Sequence, residues 1–249
     1  MSDRKQAVRK SGNRFILLFL AIIVVTNVVM VGQLKALKAG VLGDIPGNYG
    51  DPLKRKDDNS SGWNLLLVNP WKKIPNDFSV QLTQLKNKHA IDTRAYPDLQ
   101  DMMDDMRAEG LSPVICSSYR TKEKQQALYN NEVNNYLANG YSRAKAEEEA
   151  GKWVALPGTS EHQTGLAVDI VDAGYQSLDE KQETTAVQQW LMKNSWRYGF
   201  ILRYPNHKSD ITGIYYEPWH YRYVGKEAAK EIYEKDICLE EYIKKINNN

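Results

Sequence analysis

Ser160 to Ile170 reads SEHQTGLAVDI. Two potential metal ligands, His162 and Asp169, stand seven residues apart in it, with glycine and small apolar residues between them. Gly165 permits a turn that residues with a side chain take less readily. Beyond it, LAVDIVD carries β-branched residues and reads as a strand. The stretch is therefore a loop that feeds a strand. A carboxylate inside an apolar strand is costly to bury unpaired, and a cation would remove that cost. The other reading is an ordinary strand with one isolated histidine before it.

Downstream, TTAVQQWLMKNSWRYG has helical spacing and is stopped by Gly199. FILRYP and EPWHYRYVG read as strands, and KEAAKEIYEKD as a closing helix. Upstream, SPVICSSYR reads as a strand, and Thr121 is an N-cap with Glu123 and Lys124 in the first turn of a helix reaching about Asn139. A second, polar helix spans Ser142 to Gly151, with Arg143, Lys145 and Glu147 to Glu149 on a solvated face. In PDLQDMMDDMRAEG, Leu99, Met102, Met103 and Met106 recur at helical spacing as core filling, and Gly110 ends the helix. WNLLLVNP is expected to open the domain at Trp63 as a short strand. Strands and helices mix without a regular βαβ alternation. The expected class is α+β, with helices packed on a small, mainly antiparallel sheet.

The 249 residues, 42% hydrophobic and 26% charged, suggest one globular domain with appendages. A net charge of +2 points to no acidic or basic partner, nucleic acid included. Phe15 to Leu34, FILLFLAIIVVTNVVMVGQL, carries no charge, and its twenty residues are long enough for a bilayer core of roughly 30 Å. Five basic residues precede it against Asp3 alone, which places the N-terminus in the cytoplasm. The expected organisation is a cytoplasmic tail (1–14), a transmembrane helix (15–34), an extracellular Gly/Pro/Asp/Ser-rich stalk (35–62) and a folded domain (63–249). A cleaved signal peptide is the rival, but the apolar run is long for one and no small-x-small site follows it. Cys116 and Cys238 could pair in an exported domain, whereas the strand around Cys116 favours two free, buried thiols.

Of the four histidines, His89 and His207 sit among polar residues with no matching partner and are assigned no role. His220 lies three residues after Glu217 in EPWH, where a bend at Pro218 can turn both toward one site. Trp219 and Tyr221 are expected to pack the strand on the core. Two imidazoles and one carboxylate suit zinc, with a fourth position left for water and Glu217 as its base. Ligand counting leaves that reading open beside a purely structural one.

The ordered motifs carry a further observation. SEHQTGLAVD fits S-x-H-x-x-G-x-A-x-D and EPWH fits E-x-W-H. SSYRTKEKQQALYN, YGFILRYP and LLLVNPWKKIPNDF fit companion segments in the same order. Together they make the chain, over nearly all of Trp63 to Gly225, resemble the zinc D-alanyl-D-alanine carboxypeptidases of the VanY type, with a Hedgehog/DD-peptidase-like fold. The resemblance implies that His162, Asp169 and His220 bind Zn2+, that Glu217 is the base and that Arg120 faces the scissile carbonyl or its oxyanion. It suggests Gln125 and Ser160 as contacts to the peptide, Ser160 at the C-terminal carboxylate. The implied substrate is a peptidoglycan stem peptide ending in D-Ala-D-Ala, outside a bacterial cell membrane. An L,D-carboxypeptidase on tetrapeptides and a non-catalytic wall-binding module are the alternatives. The sequence does not choose between glycopeptide resistance and wall maturation.

Overall fold

A computed structural model describes residues 62–248. The expected tail, the apolar run Phe15 to Leu34 and the stalk up to residue 61 lie outside the described residues. Among those described, no helix is long and apolar enough to cross a membrane.

The strands are β1 (Leu82–Gln84), β2 (Ala90–Asp92), β3 (Pro113–Ser117), β4 (Ala167–Asp172), β5 (Phe200–Leu202) and β6 (His220–Tyr223). The helices are α1 (Tyr96–Ala108), α2 (Lys122–Ala138), α3 (Arg143–Trp153), α4 (Ala186–Asn194), the single turn α5 (Ser209–Thr212), α6 (Lys226–Lys235) and α7 (Leu239–Asn247). β1 and β2 form an antiparallel pair, and the other four strands form one antiparallel sheet in the order β3-β4-β6-β5. The expected α+β class with a small antiparallel sheet is what the chain adopts.

Side chains alternate between sheet faces along a strand. On one face Val168 and Ile170 of β4 and Tyr221 and Tyr223 of β6 meet Leu99, Met102, Met103 and Met106 of α1 and Val187 and Leu191 of α4. The methionines are core filling, as their spacing predicts. The out-of-phase residues of the same two strands include Asp169, His220 and Arg222, all buried. Thus β4 and β6 carry one apolar face and one buried polar face. A second apolar cluster joins Ile201 and Val224 to Ala228, Ala229 and Ile232 of α6 and Leu239 and Tyr242 of α7.

Several elements differ from expectation. WNLLLVNP forms no strand: Trp63–Leu65 is a 3-10 turn, followed by an isolated bridge between Asn69 and Lys72. Its backbone is captured otherwise, because Arg222 donates to the carbonyls of Asn64 and Leu66 at 3.0 and 2.9 Å. The strand expected across EPWHYRYVG is only His220–Tyr223, since Pro218 and Trp219 turn and the His220 amide donates to the Glu217 carbonyl at 3.1 Å. The α4 helix starts on a Thr185 cap, gives way to a 3-10 turn at Ser195, and stops at Gly199 in the left-handed region, φ 80°. The β1–β2 pair and α7 were not expected at all. Both cysteines are free, Cys238 buried and Cys116 partly so.

Candidate active site

The site lies where the polar face of β4 and β6 meets the loop ahead of β4. Asp169 pairs in register with His220 on one side and Ser117 on the other, so the ladder sets their spacing. His162 comes from the 3-10 turn Glu161–Thr164, which Gly165 ends at φ 74°. A Cβ on Gly165 would stand 3.1 to 3.2 Å from Leu82, Val80 and the Asp92 backbone, so glycine also admits close approach of β1 and β2.

His162 Nδ1 lies 2.7 Å from the Ser118 carbonyl. A carbonyl can only accept, so the Nδ1 proton donates there and Nε2 carries the lone pair. That Nε2 is 3.2 Å from Asp169 Oδ2, and His220 Nδ1 is 3.1 Å from Asp169 Oδ1. One ligand atom from each of the three residues falls within 4.8 Å of the others, all buried. Imidazole nitrogens at such distances from a carboxylate need a proton or a cation between them. A donor set of two nitrogens and one oxygen, open on one side to a cavity, fits zinc. The pattern's three expected ligands are therefore brought together. His89 is not among them, and His207 is exposed beside Asp236 at 3.4 Å.

Charge is balanced group by group. Burial, joined by the Arg120 charge, lowers His162 to about 4, so it is neutral. Burial also disfavours charge on His220, but the neighbouring carboxylates of Asp169 and Glu161 outweigh it and raise that imidazole to about 9. Asp169 is likewise penalised by burial, and the two histidines hold it well below the usual carboxylate range. Glu217 differs: burial dominates and lifts it to about 8. Its carboxylate lies 3.6 Å from His220 Nδ1. A carboxyl poised near neutrality beside a metal-binding trio is suited to move a proton.

Arg120 stands between β3 and the Thr121-capped start of α2. Its guanidinium is held on three sides: Nε donates to Ser117 Oγ, Nη1 to Gln125 Oε1 and Nη2 to Asp169 Oδ2, each at 3.0 Å. Its side chain keeps 18% of its surface open, toward the cavity. Gln125 is fully buried, and its amide nitrogen is spent on the Ala155 carbonyl at 2.6 Å. In this structure Gln125 orients Arg120. Ser160 is buried and lines the cavity next to His162. The cavity holds about 520 Å³ and ends on the trio, with Leu128, Trp153, Leu178 and Ile214 on its walls. Trp219 also lines it, whereas Tyr221 packs in the core.

Sequence reasoning missed Glu161. It is fully buried between Arg203 Nε at 2.8 Å and Arg222 Nη1 at 2.7 Å, and its other oxygen faces His220 Nε2 at 3.5 Å. The signal was two arginines inside apolar strands, FILRYP and HYRYV, each demanding an acid.

With this geometry in hand, known proteins are informative. The family model described as "VanY: D-alanyl-D-alanine carboxypeptidase" matches residues 88–226. A D-alanyl-D-alanine carboxypeptidase of Enterococcus faecalis is 50% identical over 189 residues, 76% of this chain and 69% of that protein. The solved structure of VanYB in complex with D-alanine-D-alanine has a TM-score of 0.68 and 52% identity, covering 73% of this chain and 98% of that one. A mutant of the vancomycin resistance D,D-pentapeptidase VanY from the VanB-type cassette, in complex with Zn(II), has a TM-score of 0.67 and 51% identity, covering 73% and 99%.

Proposed function

The chain belongs to the VanY family of D-alanyl-D-alanine carboxypeptidases, and from that premise we propose how its own residues carry out zinc-dependent D,D-carboxypeptidase chemistry. The chain is a zinc carboxypeptidase acting on peptidoglycan precursors. The observation that carries the residue assignment is the convergence of His162, Asp169 and His220 at the cavity end that also holds Glu217 and Arg120.

His162 through Nε2, Asp169, and His220 through Nδ1 would hold the metal. When bound, zinc polarises the scissile carbonyl and lowers the pKa of the attacking water. Glu217 accepts the proton of that water and returns it to the departing D-alanine amine. Arg120, already fixed by Ser117, Gln125 and Asp169, meets the negative charge that develops on the carbonyl oxygen. Because its fork is preset, little reorganisation accompanies that charge. Ser160, which lines the cavity next to His162, would hydrogen-bond the terminal carboxylate.

The test is D-alanine release by the purified protein from a pentapeptide ending in D-Ala-D-Ala, compared with the tetrapeptide, before and after chelation. Zinc-dependent release from the pentapeptide is expected. Preference for the tetrapeptide would make the enzyme an L,D-carboxypeptidase, and peptide binding without turnover would make it a wall-binding module.

The uncharged run Phe15 to Leu34, with basic residues ahead of it, supports a single-pass anchor with the domain outside a bacterial cell. Carbonate extraction and protease digestion of intact protoplasts test this. Release of the protein by carbonate, or protection of the domain from protease, would refute it.

A further inference from the structure

Two buried atoms, one from the 3-10 turn ahead of β4 and one from β6, face each other at 3.5 Å: Glu161 Oε2 and His220 Nε2. Neither has a hydrogen-bond partner among the described residues. The other Glu161 oxygen is fully engaged, taking Arg203 Nε at 2.8 Å and Arg222 Nη1 at 2.7 Å. Both arginines are themselves immobilised. Arg203 Nη1 and Nη2 donate to the two Glu240 oxygens at 2.9 and 2.6 Å. Arg222 spends its remaining donors on the carbonyls of Tyr223, Asn64 and Leu66 at 3.0, 3.0 and 2.9 Å. The carboxylate is thus clamped by the residue that follows β5, by β6, α7 and the opening turn of the domain, with one oxygen left and aimed at an imidazole.

As a stability device this makes poor sense, because two carboxylates and two guanidiniums lose hydration that apolar side chains of similar size would not need. As an orienting device it makes good sense. An imidazole that binds a metal through one nitrogen commonly donates its other N–H to a carboxylate, which fixes tautomer and ring angle. We infer that Glu161, clamped by Arg203 and Arg222, is the positioning residue that sets His220 with Nε2–H toward Glu161 and the Nδ1 lone pair toward the metal. The inference rests on His220 being a ligand. His162 obtains the same service from the Ser118 carbonyl, so the two histidines present opposite ring nitrogens for reasons built into the fold.

Glu161→Asp separates orientation from packing. It keeps the negative charge for both arginines and withdraws the oxygen from His220 by one methylene. The probe is the metal alone: zinc affinity by competition with a chromophoric chelator, the ligand-field spectrum of the Co(II)-loaded protein, and solvent exchange of the His220 Nε2–H resonance in the zinc form. Expected are a zinc Kd raised about 10- to 100-fold, a shifted Co(II) spectrum and faster exchange of that proton. A lowered melting temperature with unchanged Kd and spectrum would mean a merely structural residue and overturn the inference. If Glu161→Asp does not fold, Glu240→Gln decides, since it loosens Arg203 from outside the metal site. A Kd raised about threefold, well under the range for direct partners, supports the inference, and an unchanged Kd and spectrum overturn it. Failure of the unaltered protein to bind zinc would instead bring down the metal-site assignment on which the inference stands.

Discussion

Asp169 and His220 are direct partners across the β4–β6 ladder, and the carboxylate meets the imidazole Nδ1 at 3.1 Å. Two of the three ligand positions are therefore fixed by regular strand geometry, with only His162 supplied from a turn. A site built on strands is held more narrowly than one built on loops. The consequences can be tested residue by residue.

With Glu217 as the proposed base, Glu217→Gln, of equal size, should lower kcat by about 10²- to 10⁴-fold and leave zinc affinity within a few-fold. A base works deprotonated, so kcat/KM should fall as pH drops through its ionisation. Burial lifts Glu217 to about 8 without a cation, and the metal's charge pulls it lower, so the limb should lie below 8. Steady-state kinetics across pH check this, and a variant that keeps both full activity and the acid limb would remove Glu217 from its role.

Arg120→Lys tests geometry against charge. Lysine keeps the cation but cannot bond Ser117, Gln125 and Asp169 at once. The expected result is a drop in kcat of about 10²- to 10³-fold with a smaller change in KM. Near-normal turnover in the lysine variant would show that charge alone suffices.

Zinc binding should release between one and two protons at pH 7, one from His220 and the rest from Glu217, which the metal pulls down from about 8. His220 is raised to about 9 and is protonated at that pH, yet a ligand must offer its lone pair. His162, lowered to about 4, has no proton to give. Apparent affinity should consequently rise with pH up to about 9 and level off above it. Calorimetry in buffers of different ionisation enthalpy measures the release, and an enthalpy independent of buffer would contradict it.

Gly199→Ala should act on stability alone. A Cβ there would stand 2.8 Å from Tyr223 and 3.1 Å from the Gly225 backbone, at a φ of +80°. The expected cost is about 1–2 kcal/mol for the backbone conformation, more with the clash, or a melting temperature lower by about 2–4 °C per kcal/mol. Thermal denaturation measures it: a loss limited to the backbone cost would mean that Tyr223 yields, and an unchanged midpoint would contradict the prediction.

Much of this was legible beforehand because it is periodic. The alternation in LAVDIVD and HYRYV separates core from polar positions, and the methionine spacing in α1 fixes its buried stripe. Spacing alone left the trio and Glu217 open, and the resemblance carried by the ordered motifs around SEHQTGLAVD and EPWH is what implied them. What escaped depends on neighbours remote in sequence. WNLLLVNP has a strand-like composition, but Arg222 and Asn64 tie its turn to β6, with Asn64 donating to the Val224 carbonyl at 2.6 Å. Three-residue strands such as β1 and β2 are too short to show a period. Glu161 reads as a loop acid until β5 and β6 are known to bring two arginines to it. Gln125 was legible as a site residue, but its bond to Arg120 was not.

Glu240 sits on α7, the last helix described, yet it completes the pairing of Arg203 far upstream. Translation therefore delivers the proposed metal ligands, His220 last among them, before the acid that finishes their surroundings. A nascent chain stalled ahead of Leu239 would hold a guanidinium with half its partners absent beside an unfinished centre. Completion of the surroundings of the site in this sense waits for α7 to be made and docked.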